Sequence, residues 1–555
     1  MQFTPKLFSV LKEGYTLNDC RNDAIAGLTV AIVSLPLSMA LAIASGASPN
    51  EGLITAIVAG FLISLLGGSR VQIGGPTGAF VVIVFNGIAQ FGYDGLLLAT
   101  LMAGIILIAA GYLKFGRVIN FFPHSVITGF TSGIAVIIAS TQVKDFFGLK
   151  IDQVPSDFIP KWITYFTHLH TINLATLLIG ASALTLIILM RRFTPKLPSY
   201  LIVVVLTAVV VALLKLPIDT IGSRFPVIPS GLPFPKLPVM TIDKIQEVVP
   251  LAFTIAFLAG IEALLSAVVA DSMTGFKHRP NQELVAHGIA NIAATLFGGL
   301  PATGAIARTA TNVRAGAKSP VAGLFNAVFI LLFVLFATKY MAFVPMAALA
   351  AILFIVAWGM SEVHQFLHIF RLGTSDRILL LLTFFLTVMV DLTMAIGIGV
   401  TTAALLFLGH MSKSVAISSR SGTLTDDNGE TPMAISDNRR SALPPGVEVF
   451  RINGPIFFAV AGDLIDTLRQ IGTQPKVLII RMLLVNYLDG TGASTLANLI
   501  KDCKAKKTKV ILSSVKSQPA EILARAGVQP DGENISFAAN YDEALSLAKN
   551  LSSEN

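Results

Sequence analysis

The sequence is poor in charged residues. Only 13% of its 555 residues are Asp, Glu, Lys or Arg, whereas 54% are hydrophobic, and the mean hydropathy is +0.74. A soluble protein of this length could not bury so much apolar surface. The composition therefore excludes an ordinary soluble protein and indicates a polytopic α-helical membrane protein.

Cysteine and the common enzyme motifs are also scarce. The two cysteines, Cys20 and Cys503, fall in segments that we predict to be cytosolic, so we expect no disulfide. The chain has no phosphate-binding loop, no His/Cys metal spacing and no nucleophile elbow. These absences argue against an enzyme, a bound cofactor and an ATP-driven pump, and they leave transport driven by ion gradients.

The formal net charge of +8 does not indicate a nucleic-acid partner. The basic residues mostly lie in short loops beside apolar spans, as they do in membrane proteins that follow the positive-inside rule. Loops at 191–196, 276–280 and 368–377 are predicted to face the cytosol, together with a short N-terminal segment, 1–22. With an even number of crossings, both termini are predicted to be cytosolic.

Fourteen apolar segments follow one another along the chain. They are residues 24–45, 52–67, 77–91, 94–114, 118–141, 172–190, 199–215, 249–271, 283–297, 303–317, 320–338, 343–358, 376–391 and 393–411. Several, above all the third and tenth, are shorter than the ~20 residues that a full crossing needs. We therefore predict a transport domain over 23–413 in which these two are half-helices.

The composition changes after the last span. Residues 414–446 are polar and rich in Ser, Asp, Asn and Pro, which predicts a linker. Residues 447–555 contain short β-branched runs separated by helical patterns. They predict a small α/β domain.

The third and tenth segments begin with similar turns, GGPTGAF and GLPATGAI. Thr77 and Thr303 are 226 residues apart, and the same offset takes Pro36 of the first span to Glu262 of the eighth. Two copies of a seven-span unit, about 23–217 and 248–413, explain this spacing. Because seven is odd, the second copy enters the membrane from the opposite side, which gives an inverted repeat.

Each turn must return extended backbone to the middle of the membrane before a half-helix begins. Pro in the turn and Thr as an N-cap suit a helix start. Two half-helix N-termini facing each other form an anion site, because each carries unpaired N–H groups and about half a positive charge. The alternative is that both are packing turns between closely crossed helices.

Ionisable residues inside the spans are candidates for coupling. Glu262 could bind a proton or a sodium ion, with Ser266 one turn further on the same face, or it could pair with a basic residue. Arg308 could attract the anion, balance Glu262, or extend toward the cytosol. Asp391 is either a span-end residue or part of the pathway. Three further polar residues are predicted to be packing groups: His287, Asn291 and Asn312.

These residues resemble a known family. The run from GLTVAIVSLPLSMA through GGPTGAF, GIEALLSAVVADSMTG and PATGAIARTATNVRAGAKSP to the soluble domain is similar to the SulP (sulfate permease) anion transporters with a C-terminal STAS domain. The resemblance covers nearly the whole chain. It implies fourteen spans as a 7+7 inverted repeat, a core domain moving against a gate domain, and a homodimer in the bacterial inner membrane.

The resemblance also implies a substrate site between the third and tenth helices. The matching positions are Thr77, Gly78, Ala79, Gly304, Ala305, Ile306 and Arg308. Members that carry sodium and bicarbonate have Asp at the position of Glu262. Glutamate there favours proton coupling. The run IEALLSAVVADSMTGFKHRPNQELV most resembles the C4-dicarboxylate (DauA-like) branch, which implies proton-coupled uptake of succinate or fumarate by an elevator-like mechanism.

Other functions stay open at this point. The same machine could carry sulfate or bicarbonate, it could work as an uncoupled anion channel, or a STAS-based membrane scaffold or sensor could be its main role. In the soluble domain LDGTGAST resembles the STAS loop–helix signature. Thr491 matches a phosphorylated position of some STAS proteins, while the simpler interpretation makes Asp489 and Thr491 helix-capping residues. A cytosolic protein partner of this domain is also predicted.

Overall fold

The computed structural model describes ten stretches of the chain. They are residues 3–116, 123–151, 154–155, 157–194, 197–225, 231–390, 392–413, 416–419, 443–462 and 475–553. The chain divides into two compact units, Met1–Thr401 and Thr402–Asn555. Asp391 and most of the predicted linker lie outside the described residues.

The first unit is built from helices. They are α1 (Lys6–Gly14), α2 (Leu17–Ala44), α3 (Pro49–Leu66), α4 (Phe80–Tyr112), α5 (His124–Phe147), α6 (Phe158–Thr167), α7 (Leu174–Phe193), α8 (Ser199–Leu214), α9 (Ile221–Arg224), α10 (Ile242–Thr274), α11 (Pro280–Leu296), α12 (Ile306–Arg314), α13 (Val321–Met341), α14 (Met346–Met360), α15 (Val363–Phe370), α16 (Thr374–Met389) and α17 (Leu392–Lys413). Residues 402–413 of α17 belong to the second unit. Among the described residues, eight helices are long and apolar enough to cross a membrane.

Each of the fourteen predicted segments coincides with a helix or with half of one. The third and fourth segments lie on either side of Gly92 in α4, where a φ of 71° interrupts the helix. The tenth segment is α12, which has only 9 residues. The two predicted half-helices begin at Phe80 and Ile306, again 226 residues apart. The helical fold class predicted from the sequence is confirmed.

Local signals set the starts of these helices. Thr16 and Asp19 form a capping box at the start of α2, and the Glu51 carboxylate accepts a hydrogen bond from the Ser48 N–H, 2.6 Å, at the start of α3. α3 and α11 both begin with Pro. Proline suits this position because the first N–H of a helix has no partner within the helix.

The helices of the first unit pack as two groups. We call the first the core group and the second the gate group. The core group is α2, α3, α4, α10, α11, α12 and α13, and the gate group is α5, α7, α8, α14, α15 and α16. Small residues bring core helices close together: a Cβ on Gly104 would lie 2.7 Å from the Gly288 carbonyl oxygen.

The second unit contains a five-stranded sheet. Its strands are β3 (Ala416–Ser419), β4 (Val447–Asn453), β5 (Val477–Leu484), β6 (Lys509–Ser513) and β7 (Ile535–Ala538), in that order; β3 pairs antiparallel and the others are parallel. The helices are α18 (Gly490–Ala505), α19 (Ser517–Arg525) and α20 (Tyr541–Ser553).

The sheet of the second unit is buried on both faces. Leu478, Ile480 and Met482 of β5 lie in one apolar cluster, while Val477 and Ile479 lie in another. Burial on both faces explains the continuous apolar run that marks this strand in the sequence. β3 lies inside the segment that the sequence predicts to be a linker, so the sheet begins before residue 447.

Candidate anion-binding site

Two short strands bring the two similar turns together. β1 (Gly74–Gly75) and β2 (Thr303–Gly304) are antiparallel, with Gly74 opposite Gly304 and Gly75 opposite Thr303. Both strands are buried in the core group. Each strand leads within a few residues into a half-helix, α4 after β1 and α12 after β2. The fold therefore places both half-helix N-termini at one crossing point.

Side chains satisfy the backbone that leads into β1. The Thr309 hydroxyl accepts a hydrogen bond from the Ile73 N–H, 3.0 Å, and the Asn312 amide donates to the Val71 carbonyl, 2.8 Å. Both side chains come from α12, in the other repeat. Irregular backbone is stable inside a membrane protein only when its polar groups find such partners.

The backbone that leads into β2 is held in the same way. The Asn291 side chain donates to the Ala302 carbonyl and accepts from the Ala302 N–H, both at 2.8 Å. The Thr55 hydroxyl of α3 accepts from the Leu300 N–H, 2.6 Å. Asn291, predicted from the sequence to be a packing residue, fixes the segment on which the site is built.

Neither half-helix has a side-chain cap. The residues that precede the helices, Ala79 and Ala305, make no capping hydrogen bond through their side chains. At α4 the N–H groups of Phe80 and Val81 donate to the carbonyls of Thr77 and Gly78, at 3.3 and 3.1 Å. The first N–H groups of α12 have no partner within that helix.

The prediction that the two threonines act as N-caps is wrong. The Thr77 hydroxyl donates to the Glu262 carboxylate, 2.9 Å, and the Thr303 hydroxyl donates to the Ala259 carbonyl, 2.7 Å. Both partners belong to α10. The helices begin two to three residues after the threonines, which leaves the hydroxyls free to tie each turn to α10.

Arg308 is a buried cation without an acidic partner. It is 2% exposed, and its Nη2 donates to the Pro76 carbonyl, whereas Nε and Nη1 have no hydrogen-bond partner among the described residues. No carboxylate of the described chain lies within ion-pair distance of it. The guanidinium lies against the turn before α4: a Cβ on Gly75, whose φ is 150°, would lie 2.7 Å from Nη1.

Glu262 is a buried carboxylate without a basic partner. It is 9% exposed, and Thr77 is its hydrogen-bond donor. Ser266, one turn further, directs its hydroxyl to Thr309 at 3.2 Å. Among the described residues, no cluster of three His, Cys, Asp or Glu side chains could hold a metal ion. The acid and the buried Arg308 are therefore separate charges, not one ion pair.

The two glycines of the turns contact different neighbours. A Cβ on Gly78 would lie 2.6 Å from Met360 Sδ and 3.1 Å from Ile138 Cδ1, both in the gate group. A Cβ on Gly304 would lie 1.8 Å from Gln72 Nε2, within the core group. Of the other predicted positions, Ala79 and Ala305 are buried, whereas Ile306 is 39% exposed.

Sequence reasoning missed several residues around this point. Gln72 donates to the Ala263 carbonyl, 3.0 Å, and Thr309 links Ile73 to Ser266. A Gln in an apolar run beside a Gly-Gly turn is a signal for the first residue. Thr309 gives no such signal, because a threonine on a short helix is ordinary and only the crossing of the chain reveals its partners.

A second buried carboxylate also escaped the sequence analysis. Glu283 is 0% exposed and accepts from the Gly68 N–H, 2.6 Å, at the end of α3. His287, 0% exposed, bonds through Nδ1 to the Glu283 carbonyl oxygen, 2.8 Å. These residues fix the turn that leads to β1, and the sequence hid Glu283 as the first residue of an apolar segment.

In the second unit, the predicted STAS loop forms a helix start. The Asp489 carboxylate accepts hydrogen bonds from the Gly492 N–H, 2.7 Å, and the Phe458 N–H, 3.0 Å. Asp489 is thus the N-cap of α18. Thr491 lies exposed in the first turn of that helix.

Comparison with protein families matches the two parts of the chain. Residues 20–383 match the sulfate permease family, and residues 441–544 match the STAS domain. The chain belongs to the sulfate permease family. It is an anion transporter of that family, not an enzyme, and it carries a C-terminal STAS domain.

Curated relatives cover nearly the whole chain. It is 40% identical to "Putative sulfate transporter YvdB" of Bacillus subtilis, over 97% of this chain and 99% of that protein. It is 31% identical to "Bicarbonate transporter BicA" of Synechocystis, over 92% of this chain and 90% of that one.

Solved structures share the fold. Murine Slc26a9, an anion transporter in the inward-facing state, matches with a TM-score of 0.85 at 19% identity, over 98% of this chain and 94% of that one. The transmembrane domain of a cyanobacterial BicA matches with a TM-score of 0.62 at 30% identity, over 70% of this chain and 98% of that one.

Proposed function

We propose that this family member is a secondary active transporter that takes up a small oxyanion, with sulfate as the first candidate, together with a proton. The observation that carries the proposal is the pair of half-helix starts beside a buried, unpaired Arg308 and a separate buried Glu262. One group attracts an anion and the other can carry the coupled cation.

The anion would bind beside α12. Its first N–H groups have no partner in the helix, and Arg308 has two nitrogens without one among the described residues. A helix N-terminus and a guanidinium both favour an oxyanion. Thr77, Gly78 and Ala79 would form the opposite wall.

The proton would bind at Glu262. An ionised carboxylate without a basic partner is costly inside a membrane, and protonation removes the charge. Sodium at Glu262, with Ser266 as a ligand, has less support, because the Ser266 hydroxyl faces Thr309 and not the carboxylate. We therefore favour proton coupling over sodium coupling.

The relatives named above change the order of the candidate substrates. They are named as sulfate and bicarbonate transporters, so an inorganic oxyanion takes precedence over the C4-dicarboxylate suggested by the eighth-span sequence. Bicarbonate is the second candidate. Succinate and fumarate remain a prediction to be tested in the same assay.

An elevator-like movement would carry the anion across the membrane. In this mechanism the core group moves with the whole site against the gate group. Gly78 of the core lies against Met360 and Ile138 of the gate, so the wall of the site changes when the groups slide. Alternating access of this kind is typical of inverted-repeat transporters.

The remaining assignments stay predictions. We propose that the protein is a homodimer in the bacterial inner membrane with both termini in the cytosol. The STAS domain would serve assembly, stability or the binding of a cytosolic protein.

The experiment that tests the proposal is uptake into proteoliposomes under an imposed inward proton gradient. Labelled sulfate, bicarbonate and succinate are compared in one preparation, with and without sodium. Proton-driven accumulation of sulfate, independent of sodium, is the expected result. Accumulation of bicarbonate or succinate alone would replace the substrate, and a strict need for sodium would replace the coupled ion.

Two further outcomes would overturn the transport cycle itself. Flux that ignores the proton gradient and shows no counterflow would make the protein an uncoupled channel. Absence of flux for all three anions, together with a cellular phenotype that follows the STAS domain alone, would favour a scaffold or sensor.

A further inference from the structure

A second group of anion-binding side chains lies under α6, outside the site between the half-helices. Lys161 and Tyr165 are one helical turn apart on α6, so they share a face of that helix. Both are buried, Lys161 at 3% and Tyr165 at 2% exposure. Long charged side chains are almost never this buried unless they are paired.

Neither of these side chains has an anionic partner in the described part of the chain. No carboxylate lies within ion-pair distance of the Lys161 ammonium, and the Tyr165 hydroxyl is buried without a hydrogen-bond partner. Burial lowers the pKa of Lys161, and the more distant Asp157 only partly opposes this effect. A bound anion would supply the missing partner to both groups.

The nearby acid is already engaged. Asp145 of α5 forms a bidentate ion pair with Arg224 of α9, with N–O distances of 2.9 and 3.2 Å. It is therefore not available to balance Lys161. The remaining neighbours of Tyr165 are apolar and include Leu149 and Ile151. Apolar walls strengthen the attraction of one ammonium and one hydroxyl for an anion.

We propose that Lys161 and Tyr165 form a second binding site for a small oxyanion, held by the ammonium and the phenolic hydroxyl. The site belongs to the loop between α5 and α7, which the predicted topology places on the extracytosolic side. Its binding does not depend on the proposed transport cycle. An anion held there would raise the local concentration of substrate on the side from which uptake begins.

The chain offers a built-in reporter for this site. Trp162 follows Lys161, and its ring lies 5.9 Å from that of Tyr165. The sequence has only two tryptophans, and the second, Trp358, is 72% exposed. The variant Trp358→Phe therefore leaves Trp162 as the single emitting tryptophan in the full-length protein.

The test titrates this protein with sodium sulfate at constant ionic strength and follows Trp162 emission. Labelled-sulfate dialysis counts the sites in parallel. We expect a saturable emission change in the Trp358→Phe background, which persists when Arg308→Met removes the first site. Adding Lys161→Met should weaken this response at least tenfold, and Tyr165→Phe should weaken it about threefold. Lys150→Met, at an exposed lysine of the same loop, is the matched control.

The dialysis gives the decisive count. The Arg308→Met protein should retain one sulfate per chain, and the Arg308→Met/Lys161→Met protein should retain none. The proposal is overturned if Arg308→Met alone removes all binding, or if Lys161→Met leaves both readouts unchanged. An unchanged unfolding temperature in each variant shows that a lost response reflects lost binding and not lost fold.

Discussion

The two half-helix starts look alike in sequence, yet they do different things in the structure. At α12 the first N–H groups are free of partners within the helix, and Arg308 adds a buried positive charge. At α4 the first N–H groups bond to carbonyls of their own turn, and Thr77 is tied to Glu262. The first start attracts the anion, and the second contacts the coupling acid and the gate group.

This difference teaches how an inverted repeat can serve two roles. The backbone path is shared, since both half-helices follow short paired strands at the same offset. The side chains then separate binding from coupling. Predictions that change matched positions of the two repeats can break or sharpen this division.

The largest effect is expected for Arg308→Met. It should weaken binding of sulfate about 100-fold, because the loss of charge-assisted hydrogen bonds costs about 3 kcal/mol. Equilibrium binding to the purified protein measures the change. Arg314→Met, at an exposed arginine at the end of the same helix, is the control and should bind normally. Normal binding by both variants would remove Arg308 from the site.

The next effect is expected for Glu262→Gln. It should reduce proton-driven uptake at least tenfold while binding changes less than threefold, because glutamine keeps the size of the side chain but carries no proton between the two sides. Uptake and binding are measured in one preparation. Glu247→Gln, at an exposed position of the same helix, should leave both unchanged. Full concentrative uptake by Glu262→Gln would disprove the coupling role.

A matched pair of glycine substitutions should separate the two turns. Gly304→Ala meets Gln72, whose amide is bonded to the Ala263 carbonyl, so it should destabilise the protein by about 1–3 kcal/mol. Gly78→Ala meets the flexible end of Met360, so it should change the stability less but slow uptake several-fold. Thermal unfolding and uptake rates check both.

The glycine pair also has an internal control. Met360→Ala in the Gly78→Ala protein should restore uptake, because it makes room for the added methyl group. Equal destabilisation by the two glycine variants would mean that the turns are equivalent in packing.

The smallest effects are expected for the matched threonines. Thr303→Val loses one bond to a backbone carbonyl and should lower the free energy of unfolding by about 1 kcal/mol, with an unchanged pH dependence of uptake. Thr77→Val loses its bond to Glu262 and should change the pH dependence of uptake. Uptake measured across pH decides the point, and identical pH profiles would mean that Thr77 does not act on the coupling acid.

Much of the fold could be predicted from the sequence, because hydrophobic segments report a membrane directly. The fourteen segments and the offset of 226 residues placed both half-helices correctly. The exact starts could not be predicted, since a threonine beside Gly and Ala is an equally good N-cap and tether. In the second unit β7 and the polar α20 were missed, because short strands and polar helices lack a strong pattern.

The sequence by itself determined that this chain lies in a membrane, repeats its architecture, and carries an isolated acid and arginine in apolar surroundings. Only the tertiary structure decided which of these charges are partners. Glu262 bonds to Thr77 across 185 positions of chain, and Arg308 bonds to the Pro76 carbonyl across 232. Contacts of this kind depend on how helices cross, and local sequence preferences carry no information about the side chains that a crossing brings together.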